Sequence, residues 1–215
     1  MSVQLGYSQA ALKTKAVTWQ ISELLAEGVM SSSISGQPTV VASPFGKAVH
    51  FNGIDDALFL DAMPLKGLTS FTIEMIFSPD ADGDFEQRIL HIGEVSDDRM
   101  LLEIRNENAQ WYFDGFVKSK HEKKALIDER LQHTTQAWYH VALVVTPNSL
   151  STYVNGKQEL TEAFHFSPIQ TGQTSVGVRL NKKSWFKGSI YSITISPDVL
   201  DSSAFNLPLA ITSPN

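Results

Sequence analysis

The chain has 215 residues, no cysteine and a formal net charge of −6, with 42% hydrophobic and 19% charged residues. This composition is typical of a soluble globular protein, and the lack of cysteine excludes disulfides and thiolate metal sites. The acidic balance argues against nucleic acid as a partner, because a phosphate-binding surface usually shows as a basic excess. An all-β domain of this length is routinely a single unit.

Residues 1–44 carry the weakest pattern. Val17, Ile21, Leu24 and Leu25 lie at helical spacing, yet residues 16–21 fit an edge strand equally well. We expect residues 1–44 to form a strand and loop segment of the same domain. Neither a signal-peptide core nor a bilayer-length apolar run is visible. We therefore expect a soluble protein without a membrane span, extracytoplasmic if an export signal has been removed.

From residue 45 onward, short strand patterns recur at intervals of about 8–14 residues, with turn signals between them. The first two, at 48–51 and 57–61, are joined by Asn52-Gly53 and Asp55-Asp56 and predict a hairpin. In the strand at 70–79, Phe71, Ile73, Met75 and Phe77 are expected on one face, with Thr72, Glu74, Ile76 and Ser78 on the other. Further strands are predicted at 87–94, 99–108, 110–119, 174–181 and 186–196, whereas the charged stretch up to Gln136 shows no periodicity.

Residues 137–159 form the clearest pattern of all. Two β-branched and aromatic runs are joined by Pro147-Asn148, and Asn155-Gly156 closes the second. This predicts an antiparallel meander at the centre of the chain. Together, the elements predict an all-β protein, a two-sheet antiparallel sandwich over residues 45–200, followed by a C-terminal tail at 201–215.

Five segments also carry a family resemblance. They are GKAVHFNGIDD (46–56), SFTIE (70–74), WYHVA (138–142), YVNG (153–156) and FKGSI (186–190). In this order and spacing they resemble the laminin-G-like branch of the concanavalin A-like lectin/glucanase superfamily. The resemblance implies a jelly roll with one concave and one convex sheet. Because this scaffold carries lectins, adhesion modules, glycosidases and lyases, function has to be argued from the site.

Polar residues on the strand faces away from the core are the candidate site. Planar hydrogen-bonding groups beside an aromatic ring are what a carbohydrate site needs, and arginine can bind the carboxylate of an acidic sugar through two hydrogen bonds. On the concave face of a jelly roll several of these groups would converge. The candidate ligand-binding residues are Glu74, Arg88, His91, Glu103, Arg105, Asp114 (with Tyr112 two positions before it), Arg179, Asn181 and Trp185.

Each candidate also has a structural interpretation. Glu74, Glu103, Arg105 and Arg179 fit cross-strand ion pairs on a solvated sheet equally well. His140, in a strand that is apolar on both faces, is expected to be a core histidine with its hydrogen bonds satisfied.

No cofactor is required by these patterns. Calcium takes oxygen ligands of the kind that Asp55, Asp56, Asp80, Asp82 and Asp84 offer, and members of the family that the chain resembles often hold a structural calcium. The 80–84 segment lacks the spacing and closing glutamate of an EF-hand loop, so an acidic turn is the simpler interpretation.

The sequence favours a non-catalytic module that binds a polysaccharide on its concave face. The alternatives are a glycoside hydrolase or polysaccharide lyase, with Glu74, Glu103, His91 and Arg105 as its catalytic residues, or a protein-binding adhesion domain. Glu74 and Glu103 would serve as a glycosidase pair only if their strands are neighbours. Substitution of Arg105 or Arg179 by alanine is expected to abolish glycan binding with little change in melting temperature.

Overall fold

The computed structural model describes residues 15–27, 33–120 and 122–212. Sixteen strands form two antiparallel sheets of eight strands each. This confirms the predicted two-sheet antiparallel sandwich. Residues 1–14 and 28–32, which belong to the segment predicted at 1–44, lie outside the described residues, as do His121 and residues 213–215.

The first sheet contains the central meander. Its strands, in spatial order, are β14 (Lys157–Ala163), β13 (Ser149–Val154), β12 (Tyr139–Val145), β6 (Phe71–Pro79), β16 (Lys187–Ser196), β4 (Gly46–Asn52) and β3 (Thr39–Ser43), with β1 (Val17–Gln20) pairing alongside β16.

The second sheet carries most of the candidate residues. Its order is β10 (Glu122–Ile127), β9 (Gln110–Ser119), β8 (Arg99–Glu107), β7 (Glu86–Gly93), β15 (Gln173–Val176), β5 (Ala57–Leu60) and β2 (Ser33–Ser35), and β11 (His133–Thr134) pairs with β9. The helical segments are α1 (Ile21–Glu27), a 3₁₀ turn (Ser202–Ala204) and α2 (Leu209–Thr212).

The inner faces of the two sheets form one hydrophobic core. Phe71, Ile73, Met75 and Phe77 all lie in it and are fully buried, which confirms the alternation predicted for this strand. Trp111 packs edge-on against Phe77, with ring centroids 5.1 Å apart. Because side chains alternate along a strand, the residues between these positions lie on the outer faces.

The predicted hairpin after residue 48 is wrong. β4 and β5 belong to different sheets, so the turn between them crosses the sandwich. Asp56 holds this turn: its carboxylate accepts hydrogen bonds from the backbone N–H of Asn52 (3.0 Å) and of Gln37 (2.7 Å). The turn dipeptides do mark a turn, but a turn dipeptide does not determine whether the strand after it pairs with the strand before it.

Two weakly patterned regions resolve into regular structure. At the N-terminus both alternatives occur in succession, since β1 ends at Gln20 and α1 begins at Ile21. The aperiodic stretch before Gln136 contains β10 and β11, which pair with β9. None of the described helices is long and apolar enough to cross a membrane.

The segment after β16 covers the outer face of the first sheet. Phe205 packs against the rings of His140 (centroids 5.5 Å apart) and Tyr153 (5.1 Å). Below it, Glu74 accepts hydrogen bonds from the backbone N–H of Asn206 (2.6 Å) and its side-chain amide (2.8 Å), and pairs with His140 Nε2 at 2.8 Å. Glu74 therefore fastens the C-terminal segment to the sheet.

We expect Glu74→Ala to lower the free energy of unfolding by about 2–4 kcal/mol, because it leaves the buried ring of His140 without its acceptor and removes both hydrogen bonds that hold Asn206. Urea denaturation measures the loss, and amide hydrogen exchange should become faster across residues 200–207. Glu107→Ala, at an exposed position of β8, is the control. Equal stability of the two variants would show that Glu74 does not hold this segment.

Candidate functional site

Alternate residues of β7, β8 and β9 lie on the outer face of the second sheet. Glu103 stands between Arg88 on β7 and Asp114 on β9, since the strand register pairs it with both. Arg105 lies two positions further along β8, and His91 is on the same face of β7. Five of the residues predicted from sequence are thus brought together: Arg88, His91, Glu103, Arg105 and Asp114.

Four of these residues form a network with Glu86, which the sequence reasoning missed. We call Glu86, Arg88, Glu103, Arg105 and Asp114 the charge cluster. The Arg105 guanidinium lies 2.7 Å from Asp114 Oδ2, 3.2 Å from Glu103 Oε2 and 3.2 Å from Glu86 Oε1. Arg88 lies 2.7 Å from Glu86 Oε1 and 3.1 Å from Glu103 Oε1. Two guanidinium groups therefore pair with three carboxyl groups.

Except for Glu86, whose side chain is 45% exposed, the charge cluster is largely removed from solvent. The side chains of Arg88 and Arg105 are each 13% exposed, and those of Glu103 and Asp114 are 3% and 4% exposed. Breaking a buried ion pair by removing one partner is costly, because the other charge stays desolvated. The two arginines are thus occupied by the protein's own carboxylates. The ion pairs of the structural interpretation are therefore found for Glu103 and Arg105, but not for Glu74 or Arg179.

Asp114 is the titratable group that this arrangement changes most. Burial, with the negative charge of Glu103 directly opposite, raises the pKa of Asp114 to about 7 although Arg105 opposes the shift. A hydrogen bond to Arg88 lowers the pKa of Glu86. Like charges placed side by side cannot both ionise cheaply, so a proton at Asp114 balances the excess of carboxyl groups.

A glycosidase pair made of Glu74 and Glu103 is not formed. Glu74 lies on the outer face of the first sheet, whereas Glu103 lies on the second, so their strands are not neighbours. Asp114, which lies opposite Glu103 in the register of β8 and β9, is instead the carboxyl group that neighbours Glu103.

His91 lies in the floor of the same face and is fully buried. Its Nε2 is 3.0 Å from the carbonyl oxygen of Glu94, while its Nδ1 has no partner among the described residues. Desolvation lowers its pKa to about 4, and the charges of Arg179 and Arg99 act in the same direction. His91 is therefore neutral near pH 7 and has two guanidinium groups as neighbours.

Those two guanidinium groups are the second feature of this face, and we call Arg99 and Arg179 the arginine pair. Arg179 donates to the carbonyl oxygen of Val95 (2.8 Å) and Arg99 to that of Asp97 (2.7 Å). Arg99 also lies over the ring of Phe116, 4.9 Å from its centroid. Burial lowers the pKa of Arg99, and the charge of Arg179 lowers it further.

The arginine pair differs from the charge cluster in having no carboxylate partner. Across the described ranges, neither guanidinium takes part in an ion pair, and the Nε atom of each is buried without a hydrogen bond. The sequence reasoning identified Arg179 but missed Arg99. The alternation along β8 would have found it, since Arg99 lies on the same face as Glu103 and Arg105.

The remaining candidates lie on the 177–186 segment, which follows β15. Asn181 is exposed there and Trp185 is half-buried. Ser184 attaches this segment to the charge cluster, because its hydroxyl accepts a hydrogen bond from Arg88 (2.8 Å). Asn181 and Trp185 are thus placed on a segment bordering the face, and neither is hydrogen-bonded to the charge cluster in the part of the chain that the structure describes.

The aspartates considered for calcium are engaged by other groups. Asp80 pairs with His50 (3.0 Å), and Asp82 with Lys187 (2.6 Å). Both oxygens of Asp56 accept backbone N–H groups. In the described part of the chain no group of three or more His, Cys, Asp or Glu side chains is arranged to hold a metal ion. A structural calcium stays a prediction that rests on the family resemblance.

Comparison with known proteins identifies the scaffold. Residues 52–204 match a family model, Laminin_G_3, described as the concanavalin A-like lectin/glucanases superfamily. No curated protein matches the chain.

Among solved structures, domain 4 of AbnA, a GH43 extracellular arabinanase from Geobacillus stearothermophilus solved in complex with arabinotriose, superposes with a TM-score of 0.60. It shares 18% identity, over 80% of this chain and 84% of that one. A SAP-like pentraxin from Limulus polyphemus gives 0.58 at 14% identity, over 72% of this chain and 77% of its own. The binding domain of botulinum neurotoxin serotype D gives 0.58 at 16% identity, over 80% of this chain, which spans only 44% of that domain. At these identities the likeness shows the fold alone.

The network changes the expected effect of Arg105→Ala. The sequence predicted little change in melting temperature, but this substitution leaves Glu103 and Asp114 buried without their shared cation. We expect a loss of about 3–5 kcal/mol in the free energy of unfolding. Arg130→Ala, which removes a pair whose arginine side chain is 86% exposed, is the control for denaturant melts. Similar small losses in both would mean that the charge cluster does not stabilise the fold.

Asp114 also predicts a pH dependence. Its pKa is raised from 3.8 to about 7 on folding, so the folded state binds the proton more tightly and this contribution to stability is lost as pH rises from about 4 to about 7. Asp114→Asn removes the ionisation. The stability of the variant relative to wild type should therefore rise by about 2–4 kcal/mol over that range. Denaturation at several pH values measures this difference, and a difference that is flat or falls with pH contradicts a protonated Asp114.

Proposed function

Because the chain belongs to the concanavalin A-like lectin/glucanases superfamily, we propose that it is a non-catalytic carbohydrate-binding module whose ligand carries a carboxylate or sulfate group. The binding surface is the outer face of the second sheet around the arginine pair. Asn181 and Trp185, on the adjoining segment, would contact the neighbouring sugar units through an amide and an indole ring.

The observation that carries this proposal is that neither Arg99 nor Arg179 forms an ion pair with a carboxylate of the described residues. The chain has five arginines. Arg88, Arg105 and Arg130 all pair with carboxylates of the described residues, whereas these two do not. Keeping two guanidinium groups close together and partly buried costs electrostatic energy, as the lowered pKa of Arg99 reflects. An anionic ligand would remove that cost through charge-assisted hydrogen bonds to the guanidinium groups.

The structural neighbours support carbohydrate as the ligand class, since the arabinanase domain was solved with a bound oligosaccharide. The carboxyl geometry supports binding without hydrolysis. Glu103 and Asp114 are held together by Arg105, and Glu74 lies on the other sheet. The Glu74–Glu103 pair considered from sequence is therefore not placed for glycoside hydrolysis.

The test is binding of heparin fragments and polygalacturonate fragments, which present sulfate and carboxylate groups respectively, by isothermal titration calorimetry. Arg99→Gln and Arg179→Gln should each weaken binding of the preferred polymer at least about tenfold, the amount expected for about 1.4 kcal/mol of lost charge-assisted hydrogen bonding. Their thermal stability should stay close to wild type, since neither residue has an ion pair to lose.

Arg130→Gln removes the same charge at an exposed site and is the control for non-specific attraction to a polyanion. Wild-type affinity in all three variants would refute the proposed surface. Release of reducing ends, or of unsaturated uronate products, would refute a purely binding role. Absence of binding to either polymer would refute the proposed ligand class and favour the protein-binding alternative.

A further inference from the structure

A cleft of about 690 Å³ opens between α1 and the β4–β16 strand pair, away from the charge cluster and the arginine pair. Its volume lies within the range of about 300–1,000 Å³ that is usual for small-molecule sites. Its lining includes four polar side chains and a tyrosine ring: Gln20, Ser22, Glu23, Lys47 and Tyr191. None of them was singled out from the sequence.

The cleft exists because β16 changes neighbours along its length. Its residues up to Ile190 pair with β4, and its residues from Ser192 pair with β1. The register against β6 shifts between the same two residues, so Tyr191 is the extra residue of a β-bulge. Bulges re-aim a side chain and are common beside functional sites. Here the bulge places Tyr191 where β4 and β1 diverge.

Aromatic packing fixes the position of the Tyr191 ring. Its centroid lies 5.4 Å from that of Phe45, which in turn makes an edge contact with Trp138 at 5.7 Å. Gly46 lies next to the ring, and a Cβ at that position would come within 3.7 Å of Tyr191 Cε2. The ring is therefore held on one side by Phe45, and the absence of a side chain at Gly46 leaves space beside it.

The polar groups of the cleft are free. From the residues that the structure describes, none provides a hydrogen bond or ion pair to the side chains of Gln20, Ser22, Glu23 or Lys47, or to the Tyr191 hydroxyl. The charge cluster is the opposite case, because all of its members bind one another. Free donors and acceptors beside an accessible ring are the arrangement that a sugar requires.

We propose that this cleft is a second carbohydrate-binding site, which takes a neutral sugar against the ring of Tyr191. Glu23 and Lys47 contribute one negative and one positive charge, so the cleft offers hydrogen bonds without a net charge that would favour an ionic ligand. The side-chain amide of Gln20, the hydroxyl of Ser22 and the carboxylate of Glu23 provide the donors and acceptors for sugar hydroxyl groups. The proposal stands independently of the arginine pair.

Fluorine NMR can locate the ligand directly. The chain contains five tyrosines, so 3-fluorotyrosine labelling gives a simple spectrum in which Tyr191→Phe assigns the signal of interest. We expect titration with cellotetraose, a pyranose probe, or arabinotetraose, a furanose probe, to move the Tyr191 signal at millimolar concentration. Arg179→Gln should bind the same probe with unchanged affinity, which separates this site from the arginine pair.

Two variants test the cleft itself. Tyr191→Ala should lower affinity at least tenfold through loss of the ring. Val40→Arg should do the same by filling the cleft from an edge-strand position whose side chain is 51% exposed, with little risk to folding. Val199→Arg, at a residue 49% exposed and outside the cleft, is the matched control.

Three outcomes would overturn the proposal. They are wild-type affinity in Val40→Arg, a titration in which only other tyrosine signals move, and absence of binding to both neutral probes. Loss of neutral-sugar binding in Arg179→Gln alone would assign that binding to the arginine pair and leave the cleft without a ligand.

Discussion

The two-residue period of the strands is the constraint on which the rest of this structure depends. Burying Phe71, Ile73, Met75 and Phe77 in the common core fixes the register of β6 and forces the intervening residues outward. In the other central strands of both sheets, burial of alternate residues likewise fixes which side chains face outward. Each outer face therefore receives a set of side chains selected by the core, and the protein has to cover that face, neutralise it or leave it open to a ligand.

The two sheets meet this requirement in different ways. On the first sheet, the C-terminal segment covers the apolar residues, and Glu74 fastens it with bonds to His140 and Asn206. On the second sheet, the charge cluster satisfies its members internally, at the expense of a raised pKa at Asp114. Two sets of polar side chains take no part in these arrangements. The arginine pair has no carboxylate partner among the described residues, and the polar side chains that line the cleft have no hydrogen-bond partner there.

The sequence predicted the elements better than their partners. The alternation in β6 and the meander predicted at 137–159 were readable because side-chain period and turn chemistry are local properties. Whether β5 pairs with β4 or crosses to the other sheet is a non-local property, and Asn52-Gly53 is compatible with both. The same limit applies to the site: Glu103 and Arg105 share a strand and were correctly placed on one face, but Glu74 is separated from them by the whole core.

The arginines show that the polar residues of a sequence do not by themselves reveal which side chains are free to bind a ligand. Arg105 and Arg179 look equivalent in the sequence, since each lies in or next to a strand among apolar residues. In the structure Arg105 has three carboxyl partners, whereas Arg179 has none among the residues that the structure describes. Ion pairing depends on cross-strand register, and neither Glu86 nor Asp114 can be assigned to Arg105 before β7, β8 and β9 are aligned.

A single stretch of chain positions both open surfaces. Arg179 and Trp185 precede Phe186, which is fully buried against Phe51 and Phe77, and Tyr191 follows it by five residues. Gly188 lies between them, and a Cβ there would come within 2.4 Å of the carbonyl oxygen of Ser78, so β16 can approach β6 this closely only without a side chain. The anchor at Phe186 and Gly188 therefore sets the placement of both surfaces. Since they are attached to different sheets, a ligand that occupies one has no need to displace a ligand from the other.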